Sequence, residues 1–143
     1  MAREKQMEAD SQAMKPILEA SGELSAAASR ATQALQSLAL ATLEPARAKE
    51  MNRAIASFEQ ALLAPEGLPD RPWYEHTIFA PGSFAGYDAE LFPGVAETLD
   101  RGDPALLRQQ CDALAAALRR AAARLDEIAR LAQPPPSPAA GHR

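Results

Sequence analysis

Cysteine occurs once in this chain of 143 residues, at Cys111, so no internal disulfide can form. Histidine occurs twice, at His76 and His142, the second in the tail. No three or four His, Cys or carboxylate side chains fall at the spacing of a zinc site, so neither a metal nor another cofactor is expected. Neither sign of charge dominates: 15 basic and 19 acidic residues leave −4, which offers no electrostatic reason to expect nucleic acid. Nowhere do 18 apolar residues follow one another, so no membrane span is expected. The charged start MAREKQMEAD has no apolar h-region, so no signal peptide is expected either, and the compartment stays open. Aromatics are scarce, with one Trp, two Tyr and four Phe. Much of the apolar fraction of 47% is alanine, which buries little area per residue. The length fits one domain able to bury a core without disulfide or metal, and that core should be thin and built from closely spaced helices.

What is present is mostly helix. Residues 1–15 read as a polar, helix-permissive extension, with Pro16 at the first turn of the firm first helix. From there Ile17, Ser21, Leu24, Ala28, Ala31, Leu35, Leu38 and Thr42 follow a 4-3-4-3 rhythm, one helix face. A second helix opens at Pro45 with the stripe Ala48, Met51, Ile55, Phe58 and Leu62, and Pro65 and Gly67 stop it. The short link makes these two helices antiparallel neighbours. Asp103-Pro104 is an N-cap and N1 pair. It opens a last helix with the cleanest stripe: Leu107, Cys111, Leu114, Leu118, Ala121, Leu125, Ile128 and Ala132. This helix should be roughly 40 Å long. The run Gln133-Pro-Pro-Pro-Ser-Pro ends it, and residues 134–143 are expected to be disordered.

Between the second and last helices lies a different stretch, GLPDRPWYEHTIFAPGSFAGYDAELFPG, from Gly67 to Gly94. It holds Trp73, Tyr74, Phe79, Phe84, Tyr87 and Phe92, every aromatic except Phe58. Pro69, Pro72, Pro81 and Pro93 with Gly67, Gly82, Gly86 and Gly94 forbid a long helix. Burying one such aromatic is worth about 1.5–3 kcal/mol, so the expectation is an ordered loop anchored by buried aromatics, Trp73 among them. A short helix over Val95–Leu99 should follow. The fold class is therefore all-α: an up-and-down bundle of three long helices and a short fourth, with a long loop packed on it.

The segments Leu68-Pro-Asp-Arg-Pro-Trp-Tyr-Glu-His76, Ala80-Pro-Gly82, Gly86-Tyr87 and Phe92-Pro-Gly94 also carry a family likeness. In order and spacing this stretch resembles the C-terminal helical domain of the transferrin receptor and glutamate carboxypeptidase family, the transferrin-receptor-like dimerisation domain. The domain is assigned to residues 16–133 on this basis. The resemblance implies a dimer-forming module whose parent enzymes carry their zinc ligands in a separate catalytic domain. In the carboxypeptidase branch a Lys-Tyr pair reaches from this loop to the substrate's terminal carboxylate. Here Tyr87 matches the tyrosine, but Gly86 stands at the lysine position, which removes the charge suited to a carboxylate. Tyr87 reads equally well as a core anchor with its hydroxyl bonded nearby.

The remaining candidates have structural readings. His76 lacks ligand partners at short spacing and reads as a hydrogen-bonded loop residue. Asp70 and Arg71 read as ties between loop and helices, by the planar fork of arginine. Tyr74, Phe79 and Phe92 read as further loop anchors. Cys111 has no histidine within reach and reads as a small core residue. Two functional readings follow. In one the chain is a non-catalytic interaction module that forms a homodimer. In the other it is an accessory subunit, or a detached fragment, of a zinc carboxypeptidase or aminopeptidase, lending its loop to a separately encoded metallopeptidase chain.

Overall fold

The structure is a computed structural model and describes residues 1–38, 43–82 and 89–133. Its spine is the last helix, α4, over Pro104–Ala132. The Asp103 carboxylate accepts from the amides of Ala105 and Leu106, both at 3.0 Å, so two of the donors orphaned at a helix start are satisfied. The expected apolar stripe is buried along its whole length apart from Leu125, which is half-buried. Ala115, Ala117, Ala122, Ala129 and Leu131 are buried as well, because α4 is covered on several sides.

The first helix, α1, runs over Ala2–Gln36. It starts well before Pro16, which lies inside it and not at its first turn, so the expected boundary at residues 15 and 16 falls within one continuous helix. It lies parallel to α4. Arg30 meets Asp126 at 2.8 Å, and Arg119 meets Glu23 at 3.1 Å, the same sequence offset of 96 in both pairs. The buried seam of α1 is Ala13, Ala20, Ala27 and Ala31, with Ile17, Leu24 and Ala34 half-buried. The expected face is thus off by one residue at alternate positions: Ala20, Ala27 and Ala34 face inward in place of Ser21, Ala28 and Leu35. Alanine at each crossing lets the two helices pack close against each other.

The second helix, α2, covers Pro45–Ala56 and is shorter than the expected stripe. Ser57 returns its hydroxyl to the Ala54 carbonyl at 3.0 Å, and the chain tightens into a 3₁₀ turn over Glu59–Leu62. Met51 and Ala54 are buried, while Ile55 is turned outward. They pack on Ile128, Leu131 and Ala132, joined by Ala34 near the end of α1 and Leu38 just beyond it. Two arginines fasten this side. Arg47 donates to Leu131 O at 2.7 Å, to Arg130 O at 3.2 Å and to Gln133 O, capping the open carbonyls of α4. Arg120 donates to Ala61 O at 3.2 Å and to Leu63 O at 2.6 Å, holding the 3₁₀ turn. The pairing of residue 47 with 131 and of 61 with 120 makes α2 antiparallel to α4, and hence to α1.

The loop is more regular than expected. Strand β1, Phe79–Pro81, pairs antiparallel with β2, Ala89–Leu91, in the register Phe79 with Leu91, Ala80 with Glu90, and Pro81 with Ala89. Helix α3, Pro93–Arg101, follows at once and packs on α4. Val95 joins Ala13, Ala20, Leu107, Cys111, Leu114, Ala115 and Leu118 in the larger core cluster, and Ile78 packs against it.

Candidate interaction surface

Two successive tight turns build the loop. In Leu68–Arg71 the Arg71 amide donates to Leu68 O at 3.0 Å. Pro69 and Asp70 sit at the corners, and Asp70 adopts φ 62°, the positive φ that a type II turn requires at its third position. In Arg71–Tyr74 the Tyr74 amide donates to Arg71 O at 2.9 Å, with Pro72 and Trp73 at the corners. Leu68 N then closes the pair onto Tyr74 O at 2.9 Å. The inner positions, Gly67 and Leu68, are buried. Gly67 has φ 66°, and a Cβ there would stand 2.2 Å from Pro72 O, so only glycine fits without rearrangement.

This geometry overturns the expected burial of Trp73. A turn corner points away from the body, and Trp73 is 75% exposed. Phe79, at 46%, and Phe92 are also largely open, so neither is a core anchor. Because Phe79 and Leu91 are cross-strand partners, their side chains share one face of the hairpin, and Leu91 is 64% exposed. Turn and hairpin therefore expose four large apolar side chains, Trp73, Phe79, Leu91 and Phe92, next to the charges of Asp70 and Glu75. Phe92 adopts φ 51° at the N-cap of α3, an unusual conformation for a bulky residue. Its amide donates to Ile78 O at 2.7 Å, and its carbonyl accepts from Val95 N and Ala96 N.

A cluster of ions joins the turn and the hairpin to α3. Glu97 of α3 is only 8% exposed. Arg71 Nη2 donates to its carboxylate, and Arg71 Nη1 donates to Pro81 O at 2.7 Å, at the end of β1. The same guanidinium carbon stands 5.9 Å from the centre of the Tyr74 ring, a cation–π distance. Arg101 reaches Asp70 at 2.6 Å and Glu97 at 3.9 Å. Asp70 and Arg71 thus tie the loop to α3. His76 accepts at Nδ1 from Ile78 N at 3.2 Å, and its ring centroid lies 4.1 Å from that of Phe79. Half-buried Tyr74 lies beneath Arg71. Gly86 and Tyr87 lie outside the described residues.

The more enclosed space between loop and α4, lined by Ala64, Leu68, Thr77, Val95, Gln110 and Leu114, is about 10 Å³, room for one water at most, while a more open cleft beside it, lined by Pro65, Glu66, Gln109 and Arg120, is about 430 Å³. Among the described residues no group of three His, Cys, Asp or Glu side chains could hold a metal ion. None of the described helices is long and apolar enough to cross a membrane. Cys111 is fully buried, and burial, with the Asp112 charge adding to it, pushes its thiol pKa up, away from a reactive thiolate. Arg47, Arg120 and Glu97 were not singled out in the sequence. Their partners are carbonyls, or a residue 26 positions away, and no local spacing marks them.

Comparison with known proteins agrees with this picture. The family profile of the transferrin receptor-like dimerisation domain matches residues 12–126. Over 55 residues, 38% of the chain, it is 42% identical to a protein of Arthroderma benhamiae described as "Probable glutamate carboxypeptidase". A protein of Arabidopsis thaliana with a similar description is 37% identical over 54 residues. A Schizosaccharomyces pombe protein described as an inactive zinc metalloprotease is 34% identical over 70 residues, 49% of the chain. The matched segments make up 8%, 8% and 9% of these relatives, so the chain corresponds to a small part of much longer proteins.

Proposed function

Because the chain belongs to the transferrin receptor-like dimerisation domain family, we propose that it is a non-catalytic interaction module that self-associates as a two-fold homodimer. The observation that carries this reading is the uncovered apolar surface of Trp73, Phe79, Leu91 and Phe92, held on a backbone fixed by turns, strand pairing and ion pairs. Contiguous exposed apolar surface marks interaction sites, and homo-oligomers most often cover it by an isologous two-fold contact. The non-catalytic part of the reading is supported by the lack of a metal-binding cluster among the described residues and by a relative described as an inactive metalloprotease. Size exclusion with light scattering across a dilution series tests the dimer. Twice the 15.3 kDa chain mass at high concentration, falling on dilution, is expected, and a monomer mass throughout refutes self-association.

A second reading has the same surface dock on a separately encoded metallopeptidase chain, with this chain as accessory subunit or detached part. The relatives described as glutamate carboxypeptidases favour it, since the matched segment is 8% of each. Co-elution with such a peptidase, and a change in that enzyme's KM, would support it. A monomer with no effect on the peptidase removes both readings.

A further inference from the structure

We propose that Arg71 and Glu97 form a positioning latch that fixes how the β1–β2 hairpin stands on α3, and with it the apolar face the chain presents to its partner. One arginine, Arg71, joins three elements. Its backbone amide closes the Leu68–Arg71 turn, Nη1 holds Pro81 O at the end of β1, and Nη2 takes the Glu97 carboxylate on α3. Arg101, one turn on from Glu97, brings Asp70 of the same turn to α3 at 2.6 Å. Among the described residues the other restraints on the hairpin are its own pairing, the Phe92 N to Ile78 O bond, Ile78 against the core, buried Ala80, and Thr77 just before β1, whose amide and hydroxyl both donate to Leu62 O; none of these reaches α3 from the Pro81 end of β1. Phe79 and Leu91 then ride on a two-stranded ribbon of three residues a side, a unit too small to hold its own orientation.

The choice of a buried charge pair supports positioning over stability. Taking Glu97 and Arg71 out of water offsets most of their attraction, and apolar replacements of buried pairs are often neutral or stabilising. What an apolar pair cannot reproduce is direction. The planar fork of arginine donates to a carbonyl on one side and a carboxylate on the other at fixed angles. Arg71 and Glu97 are positioning residues here: they are themselves mostly buried, and Arg71 bonds the hairpin backbone at Pro81, so they act through the hairpin.

The latch rests on the interaction-module reading only for its consequence in binding, so the test has two arms. In the first, amide hydrogen exchange is followed in the wild type, in Arg71→Lys and in the double variant Arg71→Met/Glu97→Met. The peptides compared cover Ile78–Gly82 and Ala89–Phe92 against those from α1 and α4. The latch predicts exchange about tenfold or more faster in the hairpin peptides, with α1 and α4 unchanged. Unchanged hairpin exchange in both variants overturns it, and so does an equal loss of protection across α1 and α4, which marks a merely structural pair. If the double variant fails to fold, Arg71→Lys, which keeps the charge and loses the fork, carries the arm alone. In the second arm the dimer Kd of Arg71→Lys is measured by dilution. It is expected to rise about tenfold, and an unchanged Kd beside a loosened hairpin overturns the link to binding. A wild type that never dimerises refutes the dimer reading and leaves the exchange arm to decide the latch.

Discussion

At the scale of single residues, backbone geometry decides more than side-chain type. Gly67 and Gly102 both have φ 66°, but only Gly67 has its missing Cβ position occupied, by Pro72 O. Gly102→Ala should cost about 1–2 kcal/mol for the left-handed conformation alone. Gly67→Ala should cost clearly more, because the turn must open; urea unfolding of the two variants, with equal losses, would contradict the clash. Trp73 illustrates the limit of reading composition. Its size argued for burial, yet Pro72 places it at a turn corner, so Trp73→Ala should change stability by less than about 1 kcal/mol. Its fluorescence should be solvent-exposed in the monomer and shift to the blue on association. Cys111 supplies the pH test. Its native pKa is raised above the ordinary 9.0 by burial, so the stability it lends is complete below the ordinary value and is lost as pH rises from there through the raised native one. Between about pH 8 and pH 10 the wild type should therefore lose more unfolding free energy than Cys111→Ala does. Parallel losses would show that the thiol does not contribute.

At the scale of elements, α4 was legible because large residues such as Leu107, Leu114, Leu118 and Ile128 recur on one face and Asp103-Pro104 marks the start. Asp103→Ala should cost about 1 kcal/mol in thermal or chemical unfolding, the usual value of an N-cap. The inward face of α1 was harder to read. Where two helices meet through alanine, serine and alanine look alike in a periodic pattern, and Leu35 looks better than Ala34. The deciding quantity is the distance between α1 and α4, which no single-helix pattern contains. It follows that enlarging the seam is worse than enlarging the face first expected. Ala27→Leu should destabilise by about 1–3 kcal/mol through overpacking, whereas Ala28→Leu should cost less. Equal effects would mean the seam is not close-packed. The end of α2 at Ala56 was hidden for another reason: Arg120, far along the chain, receives the 3₁₀ turn that replaces its last helical turn. The hairpin escaped because β1 and β2 are three residues each and β1 ends in proline, below what alternation can reveal.

At the scale of the whole molecule, two of the places where apolar side chains are uncovered among the described residues differ in kind. One is the turn and hairpin surface; the other is Met7 and Leu18 on α1, with Leu18 72% exposed. Met7 and Leu18 are single side chains on a helix otherwise lined outward by Ser11, Gln12, Lys15 and Glu19, and scattered exposed apolar residues need no explanation. Phe79 and Leu91 are directly opposed across a strand pair, so their exposed areas join. The larger joined area should dominate association, since binding energy concentrates in clustered aromatic and aliphatic anchors. Phe79→Ser/Leu91→Ser should therefore weaken the dimer by tenfold or more, about 1.4 kcal/mol, while leaving the melting temperature of the dilute monomer nearly unchanged. Met7→Ser/Leu18→Ser should leave the dimer constant within about twofold. Light scattering on both double variants across one dilution series separates the faces. A dimer lost with the α1 pair and kept with the hairpin pair would move the interface to α1.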